Sequence, residues 1–466
     1  MILFFIALSG LIIGYFTYGV FIEKILKTDS RNKTPAVACA DGVDYVALPP
    51  YKIFLIQFLN IAGLGPVFGA ILGALYGPVC LLWIVFGSVF AGAVHDFLSG
   101  VISLRFKGKT LVFLTEIFFG KKCRTVFLIL LTLMLTLVGS IFAQTPARML
   151  ADITPNHLNF LFWLSIIFIY YFLATLLPID KIIGRFYPLF GACLIISSVM
   201  LLFVLLTGDI TLYPDLRTFN QHPKSLPIFP LMFITIVCGA ISGFHATQSP
   251  LMARCVSNEK YARPIFYGAM ILEGFIALIW ATLGIAFYNG TGGLALALGD
   301  NGNAGAVVRE ISISFLGKFG GGLTILSVIL LTITSGDTAL RSARLFCADF
   351  LKLDQKNIIK RLILSLFVLG LAISMAFINL NTIWLYFGWV NQILATFMLW
   401  IGTLFLRKKK WNYWVSLIPA VFMTFVCTTY LVYAPILFGF NITNACLIGM
   451  IMTLIMTVMF FIKERK

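Results

Sequence analysis

The sequence predicts an all-α membrane protein that crosses the bilayer about thirteen times, and three observations support this fold class. Of the 466 residues, 60% are hydrophobic and 11% are charged, whereas a soluble domain carries about 25% charged residues. Apolar stretches of about 20 residues, long enough to cross a hydrocarbon core of roughly 30 Å, recur along the whole chain. Lys and Arg cluster between these stretches. A set of two or three soluble domains is therefore excluded.

The apolar stretches divide the chain into an N-terminal helix, two blocks of five helices and a C-terminal pair. No basic residue precedes the first stretch, so we expect a retained helix rather than a cleaved signal peptide. The predicted spans are 2–25, 52–76, 78–104, 125–147, 157–177, 188–207, 228–253, 264–289, 319–345, 359–379, 382–406, 412–433 and 441–462. They group into 1–26, a cytoplasmic loop 27–51, the blocks 52–207 and 228–406, and a C-terminal region 412–466.

The formal net charge of +16 indicates membrane topology rather than nucleic-acid binding. If the N-terminus lies outside, all but five of the 34 basic residues fall in cytoplasmic segments; the five are Arg148, Arg217, Lys224, Arg309 and Lys318. Such a bias orients membrane proteins. It predicts an odd number of spans, an outer N-terminus and a cytoplasmic C-terminus in the plasma (inner) membrane.

Two of the predicted spans are interrupted near their middle. The stretch Pro227–Pro250 contains Gly239 and Gly243, and the span 52–76 contains Gly63 followed closely by Pro66. Glycine and proline favour unwinding of a helix. Non-helical backbone at membrane depth is tolerated only where protein covers it or where it lines a wet cavity. Both interruptions are therefore predicted to be discontinuous helices at a binding site.

The two discontinuous helices are the second and seventh spans, so each begins a block of five. An odd block length inverts the second block relative to the first. Inverted five-helix repeats, each led by a broken helix, are the arrangement of LeuT-like transporters. Because no Walker A sequence, Rossmann fingerprint or ATPase-sized segment is present, we expect an ion gradient to supply the energy.

Several strings resemble the carbon starvation protein A family of bacterial inner-membrane transporters. They are GVDYV (Gly42–Val46), QFLNIAGLGPVFGAILGALYG (Gln57–Gly77), GAVHDF (Gly92–Phe97), DKIIGRFYP (Asp180–Pro188), CGAISGFHATQSPLMARC (Cys238–Cys255), GAMILEG (Gly268–Gly274) and SGDTALRSAR (Ser335–Arg344). The resemblance implies uptake of peptides or of pyruvate during nutrient limitation, with proton coupling for pyruvate. It also implies a fold related to the amino acid–polyamine–organocation transporters. The chain is shorter than the best-known members, whose C-terminal extension it lacks.

Substrate-binding residues are predicted at and beside the two breaks. Half-helix ends present free N–H groups that attract a carboxylate, and His245 adds a titratable group. The predicted set is Asn60, Gly63, Gly65, Gly239, Ser242, Gly243, His245, Thr247, Gln248 and Ser249. The alternative for His245 is a hydrogen bond between helices. Gln57, Asn391 and Gln392 are weaker candidates, since amides also join helices.

Ion-coupling residues are predicted among the acidic residues inside the spans. Each charge at bilayer depth costs about 3 kcal/mol, so Asp96, Glu273 and Asp337 must face a cavity, be paired or be protonated. Glu273 is predicted to carry a proton, or else to be a structural carboxyl, and the same alternatives hold for Asp96. His95 and Asp96 are adjacent, about 100° apart on a helix, and are expected not to form a single site. Asp337 is expected to pair with Arg341; alternatively, it belongs with Ser335 and Thr338 to a sodium site.

The remaining predictions concern partners and competing function classes. Nine cysteines without CxxC spacing and four histidines without HxxxH spacing predict neither a disulfide framework nor a metal site. We expect no cofactor beyond the coupling ion, a proton or else sodium. The partners are a small-molecule substrate and the lipid bilayer; the oligomeric state is not predicted. A channel would show pore loops or charge rings, and an intramembrane enzyme would show a nucleophile and base; neither pattern is present.

Overall fold

The computed structural model describes residues 2–40, 45–176, 183–207, 220–300, 302–351, 353, 357–435 and 437–462. Within them the chain is helical, and the only β pairing is the isolated bridge Leu48–Val256. The α-helices are α1 Ile2–Phe16, α2 Tyr18–Leu26, α3 Pro35–Ala38, α4 Pro50–Ile61, α5 Ala70–Gly73, α6 Val79–Phe86, α7 Ala93–Arg105, α8 Leu111–Phe119, α9 Lys121–Ile153, α10 Phe160–Leu176, α11 Ile183–Thr207, α12 Ile228–Thr235, α13 His245–Ala253, α14 Ala269–Phe287, α15 Thr291–Leu298, α16 Ala304–Leu351, α17 Ile358–Met375, α18 Leu380–Lys408, α19 Trp414–Tyr433 and α20 Ile442–Ile462.

Some residues used in the sequence argument lie outside the described part of the chain. They include Asp41, Gly42 and Asp44 around the GVDYV string, Asp180 and Lys181 of the DKIIGRFYP string, and the basic residues Arg217, Lys352, Lys356, Lys463, Arg465 and Lys466.

The predicted spans coincide with helices or helix pairs, although their number is not settled. Among the described residues, nine helices are long and apolar enough to cross a membrane, and a bent pair makes a tenth. The apolar segments Phe160–Ala174 of α10 and Gly191–Thr207 of α11 are shorter, and the pair α12–α13 is interrupted. The all-helical membrane class is confirmed, whereas the count of thirteen and the division into two five-helix blocks stay predictions.

The predicted inner segments meet on one face of the molecule. Arg105 joins three of them: its guanidinium lies 3.0 Å from Glu259 Oε1, donates to the Leu26 carbonyl at 2.7 Å, and lies 5.1 Å from the centre of the Trp411 ring. On the opposite face, Thr291 donates to the Gln221 carbonyl at 2.8 Å. The alternation of the predicted loops between two faces therefore agrees with these contacts.

Three π-helical turns adjoin the centre of the bundle. They are Gly65–Gly69 in the first discontinuous helix, Gly87–Gly92 immediately before α7, and Arg263–Gly268 shortly before α14. Such turns occur frequently at functional sites. Here they lie in the helices that carry the candidate site residues.

Candidate functional site

The first break is a short, sharp bend. Helix α4 ends at Ile61, the helix resumes at Gly65, and the two halves are bent by 56°. The backbone hydrogen bonds at this bend are made within the same discontinuous helix. For example, Phe68 N–H donates to the Leu64 carbonyl at 2.7 Å. A Cβ added to Gly63 would lie 2.8 Å from the Phe142 ring of α9. Glycine is therefore required at Gly63 so that α9 can approach the bend.

The second break is longer, and α18 holds it open. Residues 236–244 separate α12 from α13. The Asn391 carboxamide accepts a hydrogen bond from Phe244 N–H at 2.8 Å and donates to Ser242 Oγ at 3.0 Å. Gln392 Nε2 donates to the Ile241 carbonyl at 3.1 Å. These side chains satisfy backbone groups that would otherwise be unpaired at membrane depth.

Two further side chains complete this support. Ser88 Oγ donates to the Gly239 carbonyl at 3.0 Å, and Trp384 Nε1 donates to the Thr235 carbonyl at 3.2 Å. Trp384 and Asn391, seven positions apart, share one face of α18, and Gln392 follows Asn391 directly. Asn391 and Gln392, which the sequence predicted as weaker candidates, thus support the second break.

The two breaks lie against each other. A Cβ built on Gly65 would overlap the side chain of Cys238, and one built on Gly239 would lie 3.7 Å from Pro66 Cα. Gly243 approaches α18 closely, with the Leu394 side chain 2.5 Å from an added Cβ. The predicted glycines are thereby brought together, since Gly63, Gly65, Gly239 and Gly243 all lie where helices cross closely.

The polar residues that begin α13 are buried, and most are engaged locally. Thr247 Oγ1 donates to the Phe244 carbonyl at 2.7 Å, and Ser249 Oγ donates to the His245 carbonyl at 3.0 Å. Gln248 Nε2 donates to Thr247 Oγ1 at 2.8 Å, while Gln248 Oε1 has no partner among the described residues. Asn60 is buried at the end of α4. Substrate contact by these residues stays a prediction.

His245 lies in a chain of four buried ionisable side chains. Its Nδ1 is 2.9 Å from Asp96 Oδ2, and its Nε2 is 3.4 Å from Glu273 Oε2. The other Asp96 oxygen, Oδ1, is 2.7 Å from His95 Nδ1. All four side chains have no exposed surface. The sequence of contacts is therefore His95–Asp96–His245–Glu273, which we call the ionisable chain; it connects α7, α13 and α14.

The expectation that His95 and Asp96 would not share a site is wrong. Neighbouring residues do project about 100° apart along a helix, but both side chains fold toward the same point. The Asp96 carboxylate then bridges the two imidazoles. The structure also shows what the sequence spacing could not, because His245 and Glu273 come from helices far apart along the chain.

Asp337 lies in a second buried polar group, on α16. Its Oδ2 is 3.6 Å from Arg341 Nη2, which confirms the predicted pair. Thr338 Oγ1 donates to the Thr334 carbonyl at 3.0 Å. Ser335 faces the first break, with its Oγ 4.0 Å from the position of a Cβ on Gly63. The structure therefore does not join Asp337 to the ionisable chain.

Sequence reasoning missed a set of polar residues on α9 and did not select Gln57 for the site. Ser140 Oγ, Thr145 Oγ1 and both amide atoms of Gln57 and Gln144 are buried without a partner among the described residues. Buried polar atoms in proteins are normally hydrogen-bonded, so unpaired ones are candidates for ligand contact. The sequence signal for these α9 residues was the string Gly139–Thr145, which interrupts an otherwise apolar span. This string includes Phe142, whose ring faces the first break.

Two cavities open near the ends of the broken helices. One, of about 600 Å³, lies on the predicted outer face; Tyr76, His222, Thr235 and Trp384 are among its lining residues. The other, of about 440 Å³, lies on the predicted inner face, between α8, α9 and the ends of α13 and α16. The first cavity reaches Thr235 and Trp384 beside the second break, and the second reaches Arg254 just after α13.

These features define a class of protein: a polytopic helical membrane protein of the LeuT fold. A manganese transporter of Eremococcus coleocola matches it with a TM-score of 0.57 at 13% identity, covering 90% of this chain and 98% of the other. MhsT in complex with L-phenylalanine matches with a TM-score of 0.56 at 16% identity, covering 88% and 98%. At such identities these likenesses establish the fold alone.

The chain belongs to the family described as carbon starvation protein CstA. The family model matches residues 1–162, 152–290 and 287–430. An uncharacterized membrane protein of Haemophilus influenzae is 44% identical over 62% of this chain and 91% of its own length. The peptide transporter CstA of Bacillus subtilis is 28% identical, covering 89% of this chain and 87% of its own.

A further relative is the pyruvate/proton symporter BtsT of Escherichia coli, which is 28% identical over 59% of this chain. The match covers only 47% of the length of that symporter. A separate match, to the peptide transporter CstA of Campylobacter jejuni, also covers 47% of that protein's length. The characterised relatives and the structural neighbours are transporters, not enzymes.

Proposed function

We propose that this protein is a secondary active transporter that imports peptides or small carboxylates such as pyruvate by proton symport, during nutrient limitation. The names of its relatives support both substrate classes. The observation that carries the proposal is the position of the ionisable chain: it ends at Glu273 and passes through His245, the first residue after the second break. The proposed substrate site and the proposed ion site are thus neighbours.

Substrate is proposed to bind between the two breaks. The N-terminal end of α13, which begins at His245, carries the positive end of the helix dipole, and such an end stabilises a carboxylate. Gln57 and Gln144, with unpaired amide atoms, are proposed to hydrogen-bond the rest of the substrate.

Proton coupling is proposed to occur between His245 and Glu273. If Asp96 is ionised and accepts from both imidazole Nδ1–H groups, His245 Nε2 is free to hold a proton. The facing atom, Glu273 Oε2, is the second holder, and both Glu273 oxygens have no hydrogen-bond partner among the described residues. A single proton therefore has two atoms that can hold it, His245 Nε2 and Glu273 Oε2, which lie 3.4 Å apart. Movement of α13 against α14 would open that pair and release the proton.

Sodium coupling is the second candidate, supported by a separate observation. Ser335 of α16 faces the backbone of the first break near Gly63, where hydroxyl and free carbonyl oxygens suit a hard cation. Asp337 and Thr338 lie on the same helix, and Asp337 is tied to Arg341.

The orientation is proposed from the basic residues. The face that carries Arg105, Arg254 and Arg263 is taken as cytoplasmic, which puts the 600 Å³ cavity outside and α13 in the inner half of the membrane. A cysteine introduced at Gly292, which has no neighbour within 4 Å of an added Cβ, should react with an impermeant thiol reagent from the outside of intact cells. Labelling only after permeabilisation contradicts this orientation.

Uptake into proteoliposomes tests the function. Labelled pyruvate and a labelled dipeptide are each supplied under an inward proton gradient and, separately, an inward sodium gradient. Concentrative uptake of one of them under the proton gradient, abolished by a protonophore, is expected. Accumulation that requires sodium would replace the proton with the second candidate. Equilibration without accumulation under either gradient would contradict active transport.

A further inference from the structure

We propose that Cys238, His245 and Glu273 form a binding site for a divalent transition-metal ion, with Zn²⁺ as the best fit. One ligand atom from each residue lies within 4.8 Å of the other two. Ligand bonds of 2.0–2.3 Å around a tetrahedral Zn²⁺ separate neighbouring ligand atoms by about 3.5 Å. Small side-chain shifts therefore close the three donors around one ion.

Apart from their mutual contact at 3.4 Å, the donor atoms on His245 and Glu273 have no partner among the described residues. His245 Nε2 and both Glu273 oxygens are buried and have no hydrogen-bond partner among the described residues. Cys238 Sγ makes a single weak contact, 3.4 Å to Ser242 Oγ. Burial of three unsatisfied polar atoms at one point is costly unless a ligand visits it. The unpaired buried atoms of this cluster therefore indicate that a ligand binds there.

The surroundings of His245 are those of a metal ligand. Metal-binding histidines typically donate the second ring N–H to a carboxylate, which fixes the ring and raises its basicity. Here His245 Nδ1 lies 2.9 Å from Asp96 Oδ2, and Asp96 is fixed in turn by His95 at 2.7 Å. The imidazole is therefore held with Nε2 directed at Glu273.

The donor set selects the kind of ion. One sulfur, one imidazole nitrogen and one carboxylate suit Zn²⁺ and its neighbours in the first transition row, whereas Ca²⁺, Mg²⁺ and Na⁺ prefer oxygen ligands. Three protein ligands leave one coordination position free. Binding releases the thiol proton of Cys238, because the thiolate is the ligand.

Bound metal would lock the centre of the molecule. Cys238 belongs to the second break and lies against Gly65 of the first, His245 begins α13, and Glu273 lies in α14. An ion coordinated by all three ties both sides of the break to a neighbouring helix. Resting on the proposed function, this predicts that micromolar Zn²⁺ arrests transport, since the break can no longer move and the His245–Glu273 position is occupied.

Cobalt spectroscopy on the purified protein tests the site independently of transport. Co²⁺ should produce a thiolate-to-metal charge-transfer absorption that Zn²⁺ abolishes by displacement. The band should be lost in Cys238→Ser and kept in Cys80→Ser, which removes an equally buried thiol elsewhere. Asp96→Asn should weaken Co²⁺ affinity by about 10–100-fold. No band in the wild type, or a band that survives in Cys238→Ser, would overturn the site.

A measurement on the unmodified protein covers a failure of that variant to fold. Zn²⁺ should slow alkylation of Cys238 by a small permeant reagent, as followed by mass spectrometry, without slowing alkylation of the other thiols. Equal rates with and without Zn²⁺ contradict the proposal. In proteoliposomes, Zn²⁺ should inhibit the wild type, and the transport that Cys238→Ser retains should be insensitive to Zn²⁺. If the wild type transports nothing while the cobalt band is present, the proposed function fails and the metal site stands.

Discussion

The two discontinuous helices are predicted to occupy matching places in two repeats, yet they are built differently. The first bends over three residues, 62–64, and its backbone bonds largely to itself. The second is unwound over nine residues, 236–244, and depends on Ser88, Asn391 and Gln392 from other helices. The second break leads directly into the ionisable chain at His245.

This difference suggests a division of labour. A break that satisfies itself can stay rigid while neighbouring helices move, whereas a break held by side chains of α18 can change when α18 changes. The ionisable chain reaches the second break through His245, so a proton there acts on the part of the backbone that depends on others. We therefore expect substrate to bind between the two breaks, and the second break to couple this binding to the ion.

The largest effect is expected at the end of the ionisable chain. Glu273→Gln keeps the shape of the side chain and removes the group that gives up a proton, so accumulation under a proton gradient should fall to the equilibrium level. Exchange of labelled for unlabelled substrate should continue. Both are measured in the same proteoliposomes, and a variant that still accumulates substrate would make Glu273 structural.

A nearly complete loss of substrate binding is expected for Gly243→Leu. An added Cβ would meet the Leu394 side chain and the Asn391 carbonyl, so α18 is displaced from the second break. The matched control is Gly370→Leu in α17, where an added Cβ meets nothing within 4 Å. Both proteins should insert into the membrane. Unchanged substrate affinity in the Gly243 variant would contradict a role of the second break in substrate binding.

A moderate loss of stability is expected for Asn391→Leu. It removes the partners of Ser242 Oγ and of Phe244 N–H, and a buried donor left unpaired costs about 1–3 kcal/mol. The melting temperature of the purified protein should fall, and substrate should restore part of it. A variant as stable as the wild type would show that α18 does not support the break.

The smallest effect is expected for Gln57→Leu in α4. Both amide atoms of Gln57 are buried without a partner in the described part of the chain, so replacing them with an apolar side chain should leave the melting temperature unchanged or higher. Substrate affinity should fall by up to about tenfold, the equivalent of 1.4 kcal/mol. A variant that loses stability but keeps its affinity would assign Gln57 to packing rather than to substrate.

The comparison also shows what the sequence could predict. Glycines and proline mark both breaks directly, because they act on their own backbone, and the apolar spans and basic loops follow from the properties of a bilayer. The Asp337–Arg341 pair was predictable because its members are four positions apart on one helix. Local spacing carries such information.

Contacts between distant helices were not predictable in this way. His245 and Glu273 are 28 positions apart along the chain, and no motif spacing connects them; the same holds for Cys238 and Glu273. Adjacent residues project about 100° apart on a helix, and this rule predicted separate sites for His95 and Asp96. Rotation of their side chains brings the two together. Asn391 and Gln392 were recognised as amides that join helices, but only the structure shows that they join α18 to the second break.

The account is tested most directly by the proton movement that accompanies substrate entry. Proteoliposomes with an internal pH indicator and a clamped membrane potential receive pyruvate or a dipeptide outside, with no imposed proton gradient. Substrate should acidify the interior in the wild type and in Gln57→Leu at higher substrate concentration, and should not do so in Glu273→Gln. Acidification by Glu273→Gln, or substrate entry into the wild type without any acidification, would contradict the claim that the second break couples substrate to a proton.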